Sequence, residues 1–135
     1  MPGAVLVTGG AKRIGRAIVL ALAGAGHDLA IHCRSSKDAA EALAGEVRAL
    51  GRRAVVVTAD LSREDQVRRL VPDAVAAVGP LTGLVNNASA FEDDRVGDLS
   101  RALWDTHMET NLRAPVVLAE ALAGQVPAGG GWIVN

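Results

Sequence analysis

The sequence contains few aromatic residues, one cysteine and two lysines. Only three of its 135 residues are aromatic and none is tyrosine, so the hydrophobic half of the chain must build an aliphatic core. Cys33 is the single cysteine, which excludes an intramolecular disulfide and gives no sign of an oxidising compartment. The three histidines share no ligand spacing with Cys33, and we therefore expect no metal site.

Excess charge and long apolar runs are also absent. The formal net charge is −1, which gives no electrostatic basis for a nucleic-acid or membrane-surface partner. No apolar run approaches the roughly 18 residues that a membrane span requires. The chain enters its first predicted strand near residue 4, which leaves no room for a signal peptide, and we expect a cytoplasmic protein.

Apolar runs alternate with helix-period patterns along the chain. Continuous apolar runs, typical of strands covered on both faces, occupy residues 4–7, 29–31, 54–57 and 81–85. Helical spacing fills the intervals, and residues 132–135 look like the opening of a fifth strand. The sequence predicts one α/β dinucleotide-binding domain over residues 1–135, a doubly wound parallel sheet of Rossmann type that is incomplete at its C-terminal edge.

Helix limits are predicted from serines, glycines and prolines. Ser35 or Ser36 marks one helix start and Ser62 another, while the predicted stops are glycines; these are Gly26, Gly51 and Gly79. A last helix is predicted from near Ser100 to about Ala123. Pro115 in this helix, and Pro72 in the one before the fourth strand, are expected to introduce kinks.

The first strand runs directly into a glycine turn and a helix start at residues 8–15. Unpaired N–H groups and the helix dipole at such a start hold a pyrophosphate without a dedicated side chain. The predicted cofactor-binding residues of this segment are Thr8, Gly9, Lys12, Arg13, Ile14 and Gly15. The alternative is a turn that merely joins strand to helix.

The second predicted strand ends without a carboxylate. In dinucleotide folds an acid at this position accepts bonds from the ribose 2′-hydroxyl of NAD. Here Arg34 and Ser35 occupy the position, and both suit a 2′-phosphate, so the sequence predicts NADPH as cofactor. The alternative is that Arg34 is an ordinary solvated residue.

Two further strand ends carry polar residues. Asp60 and Leu61 follow the third strand, where Asp60 either accepts from the adenine amino group or only precedes a cap at Ser62. Residues 86–89 follow the fourth strand beside the first, and Asn87, with its neighbours, either touches ligand or ties the crossover loops together.

These residues resemble the ordered motifs of the short-chain dehydrogenase/reductases. The motifs are TGGAKRIG from Thr8, DL at Asp60, NNAS from Asn86 and NLRAP from Asn111, and the likeness spans the chain. Arg13 in place of the usual glycine, HCRSS after the second strand and NNASAF in place of NNAG resemble the pteridine reductases, including the bacterial dihydromonapterin reductase type.

The resemblance implies roles for residues of this chain. It implies an NADPH site that is lined by Arg13, Ile14, Arg34, Ser35, Asp60, Leu61, Asn87, Ala88 and Ser89. It implies that Phe91 stacks on a pterin substrate, against the alternative that Phe91 anchors a loop or the core. Asn111 matches the catalytic asparagine, which in this family supports a water leading to the catalytic lysine.

The family's tyrosine and the lysine four residues after it have no counterpart here, because the only lysines are Lys12 and Lys37. We therefore expect these residues to be the N-terminal part of a longer reductase and to have negligible activity alone. The expected full-length protein is an NADPH-dependent pterin reductase, a homo-oligomer by family habit, frequently a tetramer. The alternatives are a carbonyl or 3-oxoacyl reductase of the same family and a non-catalytic dinucleotide-binding module.

Overall fold

The computed structural model describes residues 2–135 and consists of five strands and five α-helices that alternate through most of the chain. The elements in chain order are β1 Ala4–Val7, α1 Arg13–Gly24, β2 Asp28–Cys33, α2 Lys37–Ala49, β3 Ala54–Thr58, α3 Glu64–Val78, β4 Leu81–Val85, α4 Arg101–Met108, α5 Ala114–Ala123 and β5 Trp132–Val134. A π-helical segment, Glu109–Arg113, joins α4 to α5.

The five strands form one parallel sheet in the order β3-β2-β1-β4-β5. Each pair of sequential strands is joined by a helical crossover, and the order reverses at β1, between β2 and β4. This is the predicted doubly wound α/β fold, and β5 lies at its edge. Because parallel strands end at the same side of the sheet, the carboxyl ends of β1, β2, β3 and β4 meet there.

The core lies on both faces of the sheet and is aliphatic. Along β1, alternate residues enter opposite clusters: Leu6 packs with α3 and α5, while Val5 and Val7 pack with α1 and α2. All three are fully buried. Double-sided burial explains why β1 is apolar at every position rather than at every second one.

The helix limits largely follow the predictions. The three predicted glycine stops all have positive φ, the conformation that glycine adopts at least cost. Ser36 is the N-cap of α2, but the N-cap of α3 is Arg63 rather than Ser62. Pro72 lies inside α3 without ending it.

The predicted single helix from Ser100 to Ala123 is wrong in its interior. Ser100 caps α4 by accepting a bond from the N–H of Leu103 at 3.1 Å, as expected for a helix start. The regular helix then widens into the π-helical segment, whose end is marked by a bond from the Ala114 N–H to the Glu109 carbonyl five residues back. Pro115 contributes to the break, because it lacks the N–H that an α-helix would donate to the Asn111 carbonyl.

Within residues 2–135, no helix combines the length and apolarity needed to cross a bilayer.

Candidate functional site

Thr8 fastens the end of β1 to the end of β4. Its hydroxyl donates to the Val85 carbonyl at 3.3 Å and accepts from the N–H groups of Asn87 and Ala88, both at 3.0 Å. The side chain is 2% exposed. Thr8 thus holds the start of the loop after β4 against the end of β1, below the predicted cofactor-binding residues.

The Asn87 side chain ties the two loops together. Its amide nitrogen donates to the carbonyls of Thr8 and Gly9, at 3.1 Å each. This is the tying role that the sequence left open for Asn87.

Two glycines allow the turn after β1 to close on α1. A Cβ on Gly15 would lie 2.0 Å from the Gly9 carbonyl oxygen and 2.8 Å from the Asn87 amide nitrogen. Gly9 has a φ of +59° and a Cβ there would lie 3.1 Å from the Ala88 backbone. The close approach therefore requires glycine at both positions.

His32 holds the same turn and was assigned no role from the sequence. The Gly9 N–H donates to His32 Nδ1 at 3.0 Å, and the Gly10 N–H donates to the His32 carbonyl at 2.9 Å. Its Nε2 lies 2.9 Å from the carbonyl of Ala59 at the end of β3. The available signal was a histidine directly after the apolar run 29–31.

The start of α1 offers unpaired amides and cationic side chains. The backbone N–H of Arg16 donates to the Lys12 carbonyl at 3.2 Å. The N–H groups of residues 13–15 therefore lie at the open end of the helix. Lys12, Arg13 and Ile14 are exposed. Arg13 has a φ of +54°, which is rare for a residue other than glycine. Such backbone strain is common at binding sites.

Arg34 and Ser35 are exposed just beyond the end of β2, and Asp60 faces Arg34 from the end of β3. Asp60 Oδ1 accepts from the Ser62 hydroxyl at 2.7 Å and from the Ser62 N–H at 3.0 Å. These two bonds lower the pKa of Asp60, with smaller contributions from the nearby guanidinium groups. Asp60 is therefore an anion at neutral pH, and it precedes a turn rather than a helix cap.

A cavity of about 360 Å³ opens between these loops. It brings together predicted residues from four segments, namely Gly9, Arg34, Asp60, Leu61, Ala88, Ser89 and Phe91, and adds His32, Ser62, Ala90, Glu92, Thr106 and Thr110. Leu61 is buried in its wall, whereas Ser89 is exposed. Lys12, Arg13, Ile14 and Gly15 at the start of α1, and Ser35, are not part of this lining.

Phe91 is 84% exposed at the rim of this cavity. The alternative in which Phe91 anchors the core is therefore wrong. An exposed aromatic ring at a cavity mouth can stack on a planar partner.

Asn111 and His107 hold the segment that carries Phe91. The Asn111 side chain accepts from the N–H of Ala90 and donates to the carbonyl of Ala90, both at 2.8 Å. His107 Nε2 accepts from the Glu92 N–H at 3.0 Å. Asn111, predicted to be catalytic, thus positions the loop through its side chain, from within the π-helical segment.

A second cavity of about 590 Å³ adjoins the first. It shares Ala88 and Ser89 with it and is otherwise lined by Asn86, Asn87, Asn111, Leu112, Pro115, Val116, Ala119, Ile133 and Asn135. The loop after β4 therefore separates two adjoining spaces at the carboxyl edge of the sheet.

Curated proteins similar to this chain include reductases. It is 34% identical over 113 residues to a 3-oxoacyl-[acyl-carrier-protein] reductase FabG of Staphylococcus epidermidis, covering 84% of this chain and 46% of that protein. It is 37% identical over 118 residues to the short-chain dehydrogenase/reductase FrzI of a Cladobotryum species, covering 87% and 46%. The chain spans about half the length of the curated relatives it matches.

Solved structures superpose over nearly the whole chain. The FolM alternative dihydrofolate reductase 1 of Brucella canis, complexed with NADP, has a TM-score of 0.94 and 48% identity, covering 99% of this chain and 54% of that one. A short chain dehydrogenase of Burkholderia cenocepacia in complex with NADP has a TM-score of 0.90 and 38% identity, covering 95% and 52%. The family model described as short chain dehydrogenase matches residues 3–135. The chain therefore belongs to the short-chain dehydrogenase/reductase family.

Proposed function

We propose that this chain binds NADPH and forms the cofactor half of a reductase that transfers hydride to a pterin. The proposal rests first on the charge at the end of β2: Arg34 is exposed there, where an NAD-specific site needs an acid. The NADP complexes of two related structures support it.

The residues present fit such a cofactor. The open N–H groups at the start of α1 suit a pyrophosphate. Because Gly15 has no side chain, the turn after β1 packs closely against the helix start, and its backbone can approach the pyrophosphate. Arg34, Ser35 and Arg13 supply donors for a 2′-phosphate, and anionic Asp60 supplies an acceptor for the adenine amino group. When bound, the cofactor supplies the hydride.

Titration calorimetry with NADPH and NADH tests the cofactor assignment. Arg34→Gln should weaken NADPH binding tenfold or more, since each hydrogen bond to a charged group contributes about 1.5–3 kcal/mol, and should leave NADH binding unchanged. Arg69→Gln is the matched control, because Arg69 is an exposed arginine of α3 that does not line the cavity. Equal affinities of the unaltered protein for the two cofactors would contradict the assignment.

The pterin assignment is supported by the exposed ring of Phe91 at the rim of the first cavity and by the 48% identity to an alternative dihydrofolate reductase. Phe91→Ala in the intact protein should lower kcat/KM for a dihydropterin about tenfold, from lost stacking and burial, and spare a small ketone. Val96→Ala, a fully exposed position of the same loop, is the control. Loss of ketone turnover together with pterin turnover would contradict this role.

A carbonyl or 3-oxoacyl reductase is the second candidate, favoured by the FabG relatives. In that case a 3-oxoacyl thioester is reduced and Phe91→Ala has no selective effect. A non-catalytic dinucleotide-binding module is the third, because the predicted site residues in these 135 residues are mainly cofactor-binding ones. It predicts NADPH binding by the intact protein with no oxidation in the presence of either substrate.

A further inference from the structure

His32 is a buried polar residue that the proposed function leaves without a role. It is 2% exposed, and Thr8 is the other buried polar residue within residues 2–135. Its ring lies between the turn after β1 and the end of β3, in the wall of the cavity assigned to the cofactor.

The hydrogen-bond partners fix the tautomer of His32. The Gly9 N–H can only donate, so Nδ1 must accept and carry no proton. The Ala59 carbonyl can only accept, so Nε2 carries the proton. The ring is therefore the neutral Nε2–H form, and a second proton on Nδ1 would abolish the bond to Gly9.

Burial favours the neutral ring. It lowers the pKa of His32 below the ordinary value of 6.5, and the Ala59 carbonyl opposes this to a smaller extent. The charged side chains that line the same cavity are Arg34 on the β2 side, Asp60 at the end of β3 and Glu92 in the loop after β4.

The position of His32 links two parts of the cofactor site. Through Gly9 it holds the glycine turn that leads into α1, and through Ala59 it holds the residue next to Asp60. Its own carbonyl holds the Gly10 N–H, and its chain leads within two residues to Arg34. One residue thus joins the pyrophosphate end, the 2′-phosphate end and the adenine end of the site.

We propose that neutral His32 is a positioning residue for the dinucleotide, setting the glycine turn at the distance from Asp60 and Arg34 that the cofactor requires, and that protonation of its Nδ1 releases the turn. The proposal rests on the proposed binding of NADPH. It differs from a purely packing role in requiring an acceptor at the position of Nδ1.

Two variants separate the acceptor from the packing. His32→Asn places a side-chain oxygen near the position of Nδ1 but cannot titrate, so NADPH affinity above the ordinary histidine pKa should stay within about threefold of the unaltered protein. His32→Leu fills the space with an apolar side chain but leaves the partly buried Gly9 N–H unpaired, and affinity should fall about tenfold or more.

The pH profile gives the readout that packing alone would not change. NADPH affinity of the unaltered protein should fall on acidification more steeply than that of His32→Asn. Only the difference between the two profiles counts, because the 2′-phosphate itself titrates near pH 6. His27→Asn is the matched control, since His27 bonds to the Gly3 carbonyl at the opposite end of the sheet.

The free protein provides a test that needs no cofactor. Imidazole 15N shifts should identify the Nε2–H tautomer of His32, and the Gly9 amide should exchange faster in His32→Leu than in His32→Asn. If His32→Leu does not fold, the profile of His32→Asn decides.

The outcomes are distinguishable. Failure of the unaltered protein to bind NADPH overturns the proposed function. The role of His32 is overturned by an Nδ1–H tautomer, by equal NADPH affinity in His32→Leu, or by parallel pH profiles of His32→Asn and the unaltered protein.

Discussion

At the scale of single residues, the turn after β1 combines backbone strain with close packing. Arg13 adopts a left-handed φ of +54°. Asparagine and aspartate can stabilise this conformation by a local hydrogen bond from a short polar side chain, and arginine cannot. In the proposed function, cofactor binding by the exposed guanidinium of Arg13 offsets the free-energy cost of the strained backbone. Stability and cofactor binding should therefore respond in opposite directions to substitution here.

Arg13→Gly should raise the free energy of unfolding by about 1 kcal/mol, because glycine adopts this φ without the Cβ clash, while NADPH binding weakens. Urea denaturation measures the first effect and calorimetry the second. Arg13→Ala keeps the strain but removes the charge, so its stability should stay within about 0.5 kcal/mol of the unaltered protein. A less stable Arg13→Gly protein would show that the strain is not real.

Gly15→Ala should destabilise the fold by at least about 2 kcal/mol, because the added Cβ meets backbone that cannot move without opening the turn. Gly45 in α2 is the matched control: a Cβ there meets nothing within 4 Å. Gly45→Ala should stabilise the protein by about 0.5–1 kcal/mol. Similar thermal shifts in the two variants would refute the close approach at Gly15.

His32 should make stability depend on pH. Because its pKa is lowered in the folded state, the unfolded chain takes up the proton first. Its contribution is therefore complete above the ordinary pKa of 6.5 and is lost as the pH falls through that value toward the folded pKa. The melting temperature of His32→Asn should fall less over this interval. Identical curves would contradict the sign of the shift.

At the scale of elements, the sequence predicts the strands well and the last helical region poorly. β1 and β4 agree with the prediction at both ends, because continuous apolar runs bounded by turn residues mark doubly covered strands. In the π-helical segment the backbone hydrogen bonds span five residues instead of four. Over so short a stretch this hardly changes the spacing of the apolar side chains, so the sequence pattern does not reveal it. The local signal was Pro115, where the sequence predicts a kink.

The candidate site divides in the same way. Arg34 and Asp60 were predicted as site residues because they follow strands of a parallel sheet. The strand order alone brings the carboxyl ends of these strands together, without any knowledge of side-chain contacts. The ties made by Thr8 and His32 were not predicted, since they depend on distances between strand ends that only the folded sheet defines.

Asn111→Ala should release the loop after β4. It removes two hydrogen bonds to Ala90, each worth about 0.5–1.5 kcal/mol, so the Ala90 amide should exchange faster with solvent while the sheet amides stay protected. Glu109→Gln, in the same π-helical segment, should leave Ala90 unchanged. Uniformly faster exchange throughout the sheet would instead indicate a global loss of stability.

At the scale of the whole molecule, two groups of apolar side chains stand out as exposed among residues 2–135. One is β5, at the edge of the sheet, whose three residues are between 36% and 52% exposed. The other is a row of exposed apolar side chains that recur every four residues along α4, the π-helical segment and α5. We call it the helical stripe, and it consists of Trp104, Met108, Leu112 and Val116. The expected homo-oligomer requires a defined surface such as the helical stripe, whereas an open strand edge supports indefinite association.

The 135-residue chain should therefore associate through β5, with a mass that rises with concentration in multi-angle light scattering. Val134→Lys should reduce this association, because a charge on an edge strand opposes pairing with another edge. Val96→Lys adds the same charge at a fully exposed valine in the loop after β4 and should leave the association unchanged. Leu112→Glu distinguishes the two surfaces: if it lowers the mass and Val134→Lys does not, the helical stripe forms the interface and the strand edge does not.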